Sequence, residues 1–145
     1  QKQYNKALNW FERCVPLVAS RERTVAADAS NRIGDCYFYA RRFDEARSLY
    51  AQAVAYDPSF GDYSLFQEAF VKGLQRDYAG KIGTLNQLLT AYPSSQYLDD
   101  ALYEQGRAFV LMEDHSNAIN RYSLLVQRYP ESPLSRKAAN EKGLP

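Results

Sequence analysis

The sequence predicts an all-α fold in which antiparallel helix pairs stack in series. Three observations predict it: a unit of about 35 residues that recurs, small residues at fixed places inside it, and an aromatic–proline stop that closes each copy. A self-similar period of this kind marks a repeat architecture, because one copy cannot bury its apolar face alone and stacks on the next.

The copies are Ile33 to Pro58, Glu68 to Pro93 and Gln105 to Pro130, which align without a gap over 26 residues each. Gly34, Ala69 and Gly106 are the first small position. Twelve residues on stand Ala46, Lys81 and Ala118, and four beyond those Tyr50, Leu85 and Tyr122. Tyr56-Asp57-Pro58, Tyr92-Pro93 and Tyr129-Pro130 end the copies, and the prolines stand 35 and 37 residues apart.

Within a copy the apolar residues recur at three and four, the spacing of one helical face. Ile33, Tyr37 and Ala40 form one stripe; Phe43, Ala46, Leu49, Tyr50, Ala53 and Val54 form the next. Arg41-Arg42-Phe43-Asp44 reads as the turn between them. A residue before proline is pushed out of the helical region, so the aromatic–proline pairs stop helices. Ser59 and Asp62, Ser94 and Ser95, then Ser132 and Pro133 supply cap and first-turn chemistry for the helices that follow. Small residues let paired helices approach closely, and that packing offsets the roughly 1 kcal/mol that a glycine costs inside a helix.

The ends read as incomplete copies. Gln3 to Val18 is expected to be a second helix without its partner, with Tyr4, Ala7, Trp10, Phe11 and Cys14 as its stripe and Pro16 near its end. Leu134 to Lys142 is expected to open a further copy, cut off by Gly143. About eight helices and three complete pairs follow from this pattern, as part of a longer array.

With Gly34, Tyr37, Ala46, Tyr50, Ala53 and Pro58 in the first copy, and Gly106, Phe109, Ala118, Tyr122 and Pro130 in the third, the chain resembles the tetratricopeptide-repeat (TPR) family. The resemblance implies one right-handed superhelix of antiparallel helix pairs over residues 1–145. Its parts would be a truncated repeat at 1–22, repeats at 23–59, 60–94 and 95–131, and the start of another at 132–145. The middle copy departs from the pattern. Lys72 stands where an aromatic residue is usual and Lys81 where a small one is usual, so that pair is expected to splay or to lay lysine stems along its surface. The Tyr-Pro-Ser-Ser linkage at Tyr92 to Tyr103 recurs in outline at Tyr129 to Ala138. It resembles TPR proteins of the bacterial cell envelope, of the Tol and outer-membrane assembly type. A periplasmic or envelope location is the implied setting, with the cytoplasm as the alternative.

Composition narrows the function. Of 145 residues 46% are hydrophobic, 24% charged and 14% aromatic, and the net charge is +1. Lysine and arginine are interspersed with acidic residues, without the concentrated basic patch of a nucleic-acid binder. No run approaches the ~20 apolar residues of a membrane span. Two cysteines, Cys14 and Cys36, are too few for a disulfide scaffold and read as small apolar packing residues.

No catalytic constellation, cofactor motif or metal-ligand set is found. His115 is the single histidine and reads as a turn residue. Asp99, Asp100 and Glu104 read as an exposed face near a helix start, favoured by the helix dipole. Ser30, Ser48 and Ser123 lack companions for a triad. Gly80 and Gly83 do not make a phosphate loop, because Lys81 to Leu89 fits a helix. Lys72, Lys81, Arg41, Arg42, Arg76 and Arg121 read as a dispersed, solvated basic face, or as contacts to an acidic peptide.

The aromatic set rises above this background. In the resembled family the first helices of successive pairs line a concave groove. The positions carried over are Asp28, Asn31, Asp35 and Phe38 in the first copy, Tyr63, Phe66, Phe70 and Gly73 in the second, and Asp100, Tyr103, Arg107 and Val110 in the third. The candidate partner-binding set is Asn31, Asp35, Phe38, Tyr63, Phe66, Phe70, Tyr103 and Arg107. The family's clamp for a C-terminal carboxylate uses lysine and asparagine; Asp28 and Asp35 in this groove argue against that clamp. The expected function is a scaffold that binds a protein or peptide on this face. The alternatives are inter-repeat packing of the aromatics and a structural segment that self-associates without a ligand of its own.

Overall fold

A computed structural model describes residues 5–10, 12 and 22–141, and no strand occurs among them. Residues 5–10 and 12 are helical. The expected roles of Tyr4, Phe11, Cys14, Pro16, Lys142 and Gly143 lie outside the described residues. The helices are α1 (Arg23–Tyr39), α2 (Phe43–Tyr56), α3 (Gly61–Leu74), α4 (Tyr78–Ala91), α5 (Leu98–Leu111), α6 (His115–Arg128) and α7 (Pro133–Glu141), with a 3₁₀ turn at Pro58–Phe60. The all-helical fold is what the 3–4 spacing predicts. The chain divides into two compact units, Gln1–Val71 and Lys72–Pro145.

The turns inside the pairs share one design. Arg41, Arg76 and Glu113 hold φ of 62°, 65° and 60°, the left-handed region. In the first turn the Arg42 N–H donates to the Tyr37 carbonyl and the Arg41 N–H to Phe38. Asp77 to Lys72 with Arg76 to Gly73, and Asp114 to Phe109 with Glu113 to Val110, repeat the pattern. This paired bonding is the Schellman closure, which satisfies the last carbonyls of one helix. The residue after the left-handed one caps the next helix. Asp77 accepts from the Gly80 N–H and Asp114 from the Asn117 N–H, whereas Arg42 makes no side-chain cap. The expected four-residue turn at Arg41–Asp44 is therefore shorter: Phe43 and Asp44 already belong to α2.

Links between pairs are looser. Asp57, extended at φ −146°, accepts from the Ser59 N–H and from the Thr24 hydroxyl at 2.6 Å. It caps the 3₁₀ turn, which itself contains Ser59, the residue expected to cap the helix that follows. Asp62 sits in the first turn of α3, its carboxylate accepting from the Tyr63 N–H. Ser95 accepts from the Tyr97 N–H, Tyr97 itself preceding α5 without a side-chain cap. Ser132 accepts from the Leu134 N–H and donates to Asp99 at 2.8 Å, and Pro133 is the first residue of α7.

In the first unit α1 packs antiparallel on α2. Gly34 lies under the Tyr50 ring, where a Cβ would stand 2.9 Å from Cε1. Ile33, Tyr37, Ala46, Tyr50, Ala26, Leu8 and Val71 form one core, edged by Phe38, Phe43, Leu49 and Tyr63. Full burial of a side chain such as Ile33 contributes about 1.5–3 kcal/mol. In the second unit Gly106 lies under the Tyr122 ring, and Leu102, Tyr103, Tyr122, Leu125 and Ala138 form the core. There Lys81 is not a solvated cation and its stem does not run along the surface. It is buried, and its ammonium meets Glu104 at 2.7 Å. Gly73 makes the room: a Cβ there would stand 2.9 Å from Lys81 Cδ. Glu104 is correspondingly not part of an exposed acidic face. Gln105, also buried, donates to the Ile82 carbonyl and to Asn86.

Candidate functional site

Asp35 follows the glycine that brings α1 against α2, so its carboxylate reaches across the pair. One oxygen accepts from the Tyr50 hydroxyl at 2.6 Å and from the Tyr63 hydroxyl at 3.0 Å. The other meets the Arg32 guanidinium at 3.1 Å. Asp35 thus ties α1 to α2 and to α3 at one point. Burial, followed by the negative Asp35 alongside, pushes the Tyr63 phenol up to about 12. Burial raises the Tyr50 phenol further, with Asp35 as its acceptor. Both tyrosines are therefore neutral donors at ordinary pH.

Beside this junction lies an open cleft of roughly 270 Å³ lined by Asp35, Phe38, Tyr39, Tyr63, Phe66, Gln67 and Phe70. Phe38 and Phe70 stack across it with centroids 6.1 Å apart and planes at 25°. Tyr39 is 78% exposed. Further along α1 a cleft of roughly 170 Å³ is lined by Thr24, Ala27, Asp28 and Asn31, with Ala53 of α2, Asp57 of the link and Ser64 of α3. Asn31 is nearly buried and accepts from the Ser64 hydroxyl at 2.9 Å.

Five of the eight sequence-derived positions, Asp35, Phe38, Tyr63, Phe66 and Phe70, thus meet around one cleft. Asn31 lines the neighbouring one. In the second unit Tyr103 is buried against Tyr122, its hydroxyl donating to Glu141 at 2.8 Å, and Arg107 is exposed with Glu104 3.7 Å away. Tyr103 belongs to the core of its unit, because the Tyr122 ring and α7 cover it. Tyr39 and Gln67 line the cleft and were not predicted. Each directly follows a predicted residue, Phe38 and Phe66, and sits one step off the helical stripe.

His115 is exposed at the start of α6. Gly80 and Gly83 lie within α4. Among the described residues no group of three or more His, Cys, Asp or Glu side chains could hold a metal ion, and no helix is long and apolar enough to cross a membrane. Cys36 is a free, part-buried thiol whose pKa burial raises.

Tetratricopeptide-repeat family models match residues 27–60 and 100–132. A comparison with curated proteins finds no match. Among solved structures, the N-terminal domain of stress-induced protein-1 (STI-1) from C. elegans superposes with a TM-score of 0.72 at 20% identity, covering 81% of this chain and 95% of that one. The first TPR of Spaghetti (RPAP3), bound to the HSP90 peptide SRMEEVD, gives 0.68 at 19% identity, covering 83% and 90%. The Sgt2 TPR domain from Aspergillus fumigatus gives 0.67 at 16% identity, covering 81% and 76%. At these identities the likeness is one of fold.

Proposed function

The chain belongs to the tetratricopeptide-repeat family, and from that premise we propose that it is a non-catalytic scaffold holding a peptide or a segment of a partner protein on the face made by α1 and α3. One observation carries the reading: Asp35, Phe38, Tyr63, Phe66 and Phe70 surround one open cleft in the first unit. Ligand pockets usually span about 300–1,000 Å³, so this cleft suits one anchoring side chain of a longer guest. Aromatic walls with a few fixed polar groups are the usual chemistry of such an anchor site. The HSP90 peptide on the first TPR of Spaghetti is an instance of the same class of function on a like fold.

A peptide array probed with the full chain tests the proposal. Phe66→Ala is expected to weaken retained peptides about tenfold or more, the scale of an anchor residue, with the helical circular dichroism unchanged. Retention of every bound peptide by Phe66→Ala and Phe70→Ala alike would remove the cleft from the function.

A second reading is self-association through the second unit. Val110, Leu111, Met112 and Ile119 are all more than 40% exposed there. Light scattering across a concentration series distinguishes the readings: a mass that stays monomeric at high concentration ends this one.

The Tyr-Pro-Ser-Ser and Tyr-Pro-Glu-Ser linkers support a bacterial cell-envelope setting as part of the proposal. Fractionation of the native cells tests it, and recovery of the protein in the cytosol alone would contradict it.

A further inference from the structure

We infer that the guest of the first unit's cleft is a basic peptide segment, with an arginine or lysine side chain laid against the aromatic walls; this rests on the binding role proposed above. The described residues lining the two clefts along α1 and α3 include three carboxylates, Asp28, Asp35 and Asp57, and no lysine or arginine. Asp28 has a side chain 73% exposed, and its contact with Arg32 spans 3.9 Å. Arg32 and Arg23 approach from outside the lining and offset part of this charge, Arg32 at Asp35 and Arg23 near Asp57.

The walls point the same way. Phe38, Tyr39, Tyr63, Phe66 and Phe70 supply the aromatic lining, with Phe38 stacked on Tyr39 and Phe70 and Arg32 over Tyr63; ring quadrupoles attract cations, arginine most often. The chain itself shows what this surface accepts. The Arg32 guanidinium lies 5.6 Å from the Tyr63 ring centroid while it meets Asp35 at 3.1 Å, so one guanidinium engages a ring and a carboxylate together. A guest cation in the cleft would lie on the Phe66 and Phe70 rings, with Asp35, itself paired to Arg32, in the same lining. An acidic guest would instead set its own carboxylates beside Asp28, Asp35 and Asp57, and like charges brought together across an interface oppose binding.

The test uses the full chain and two fluorescein-labelled peptides of equal length, each with a central phenylalanine. One carries two arginines on each side of it and the other two glutamates. Fluorescence anisotropy at low salt is expected to give the basic peptide at least about a tenfold tighter Kd, shrinking as salt screens the charges. Phe66→Ala should weaken the basic peptide about tenfold or more, through loss of ring area and cation contact. Asp28→Lys, on an exposed position, should weaken it about threefold with the fold intact. If the glutamate peptide binds as tightly, and Phe66→Ala still abolishes binding, the cleft stands and the basic guest falls. If neither peptide binds, or Phe66→Ala changes nothing, the cleft falls with it.

Discussion

The Lys81 ammonium lies 2.7 Å from Oε1 of Glu104, and the two side chains are only 8% and 13% exposed. The first and third copies place Ala46 and Ala118 at this point of the seam. A buried pair is weak evidence for stability, since desolvating two charges offsets most of their attraction, but removing one partner strands the other. Lys81→Ala should therefore cost about 3 kcal/mol, with Arg107 at 3.7 Å from Glu104 limiting the loss. The double variant Lys81→Met with Glu104→Leu should recover that loss and equal or exceed the parent. Urea unfolding reads both. A Lys81→Ala loss below about 0.5 kcal/mol would mean the carboxylate is solvated, as a surface pair is.

The glycines separate by what stands over them. A Cβ on Gly106 would stand 2.6 Å from Tyr122 Cδ1, whereas nothing lies within 4 Å of one on Gly83. Both are helical, so alanine gains about 1 kcal/mol of propensity at either site. At Gly83 that gain stands alone, and Gly83→Ala should raise the melting temperature. At Gly106 the buried ring must shift, and overpacking of this kind costs about 1–3 kcal/mol. Gly106→Ala should melt lower than the parent. The same sign for both variants would contradict this account of the seam.

Those seams were legible in the sequence because they depend on local pattern: Gly34 and Tyr50, or Gly106 and Tyr122, recur at a fixed spacing. The helical period likewise set Asp35, Phe38, Tyr63, Phe66 and Phe70 on two helices, and the fold places them on one cleft. The burial of Lys81 is not legible in the sequence, because its partner is 23 residues away and its space comes from Gly73, a pairing that no single helical stripe reveals. Tyr103 occupies a groove position by repeat arithmetic, yet Glu141 and Tyr122 hold it in the core. The turns hid for a different reason. Left-handed residues are usually glycine or asparagine, and this chain uses two arginines and a glutamate.

That choice carries its own expectation. Arg41, Arg76 and Glu113 are exposed and sit at φ near 60°, a region that costs a side-chain-bearing residue about 1 kcal/mol or more and glycine nothing. Glu113→Gly should stabilise the chain by up to about 1 kcal/mol, less the entropy glycine adds to the unfolded state. Glu113→Val should destabilise it, because a β-branched residue fits that region worst. Thermal denaturation checks the order glycine, glutamate, valine. Equal melting temperatures for the three would show that the turn relaxes out of its Schellman closure.

Alkaline pH tests the Asp35 junction. Burial first, with the carboxylate partners next, pushes the phenols of Tyr37, Tyr63 and Tyr103 up to about 12, from about 10 in an unfolded chain. A folded pKa above the unfolded one means the native state holds its proton longer. The resulting stabilisation is complete below pH 10 and is lost as the pH climbs from about 10 to about 12, where the unfolded chain ionises first. Tyr63→Phe keeps the ring and removes one such phenol, together with its bond to Asp35. It should be less stable than the parent by about 1 kcal/mol at pH 8, the net worth of a hydrogen bond. The gap should close and then reverse by pH 11.5, since a rise from about 10 to about 12 outweighs one such bond and the variant has one fewer group to lose. Urea midpoints at pH 8, 10 and 11.5 decide it: a gap that stays constant would mean that the Tyr63 hydroxyl titrates alike in both states and that Asp35 does not hold it.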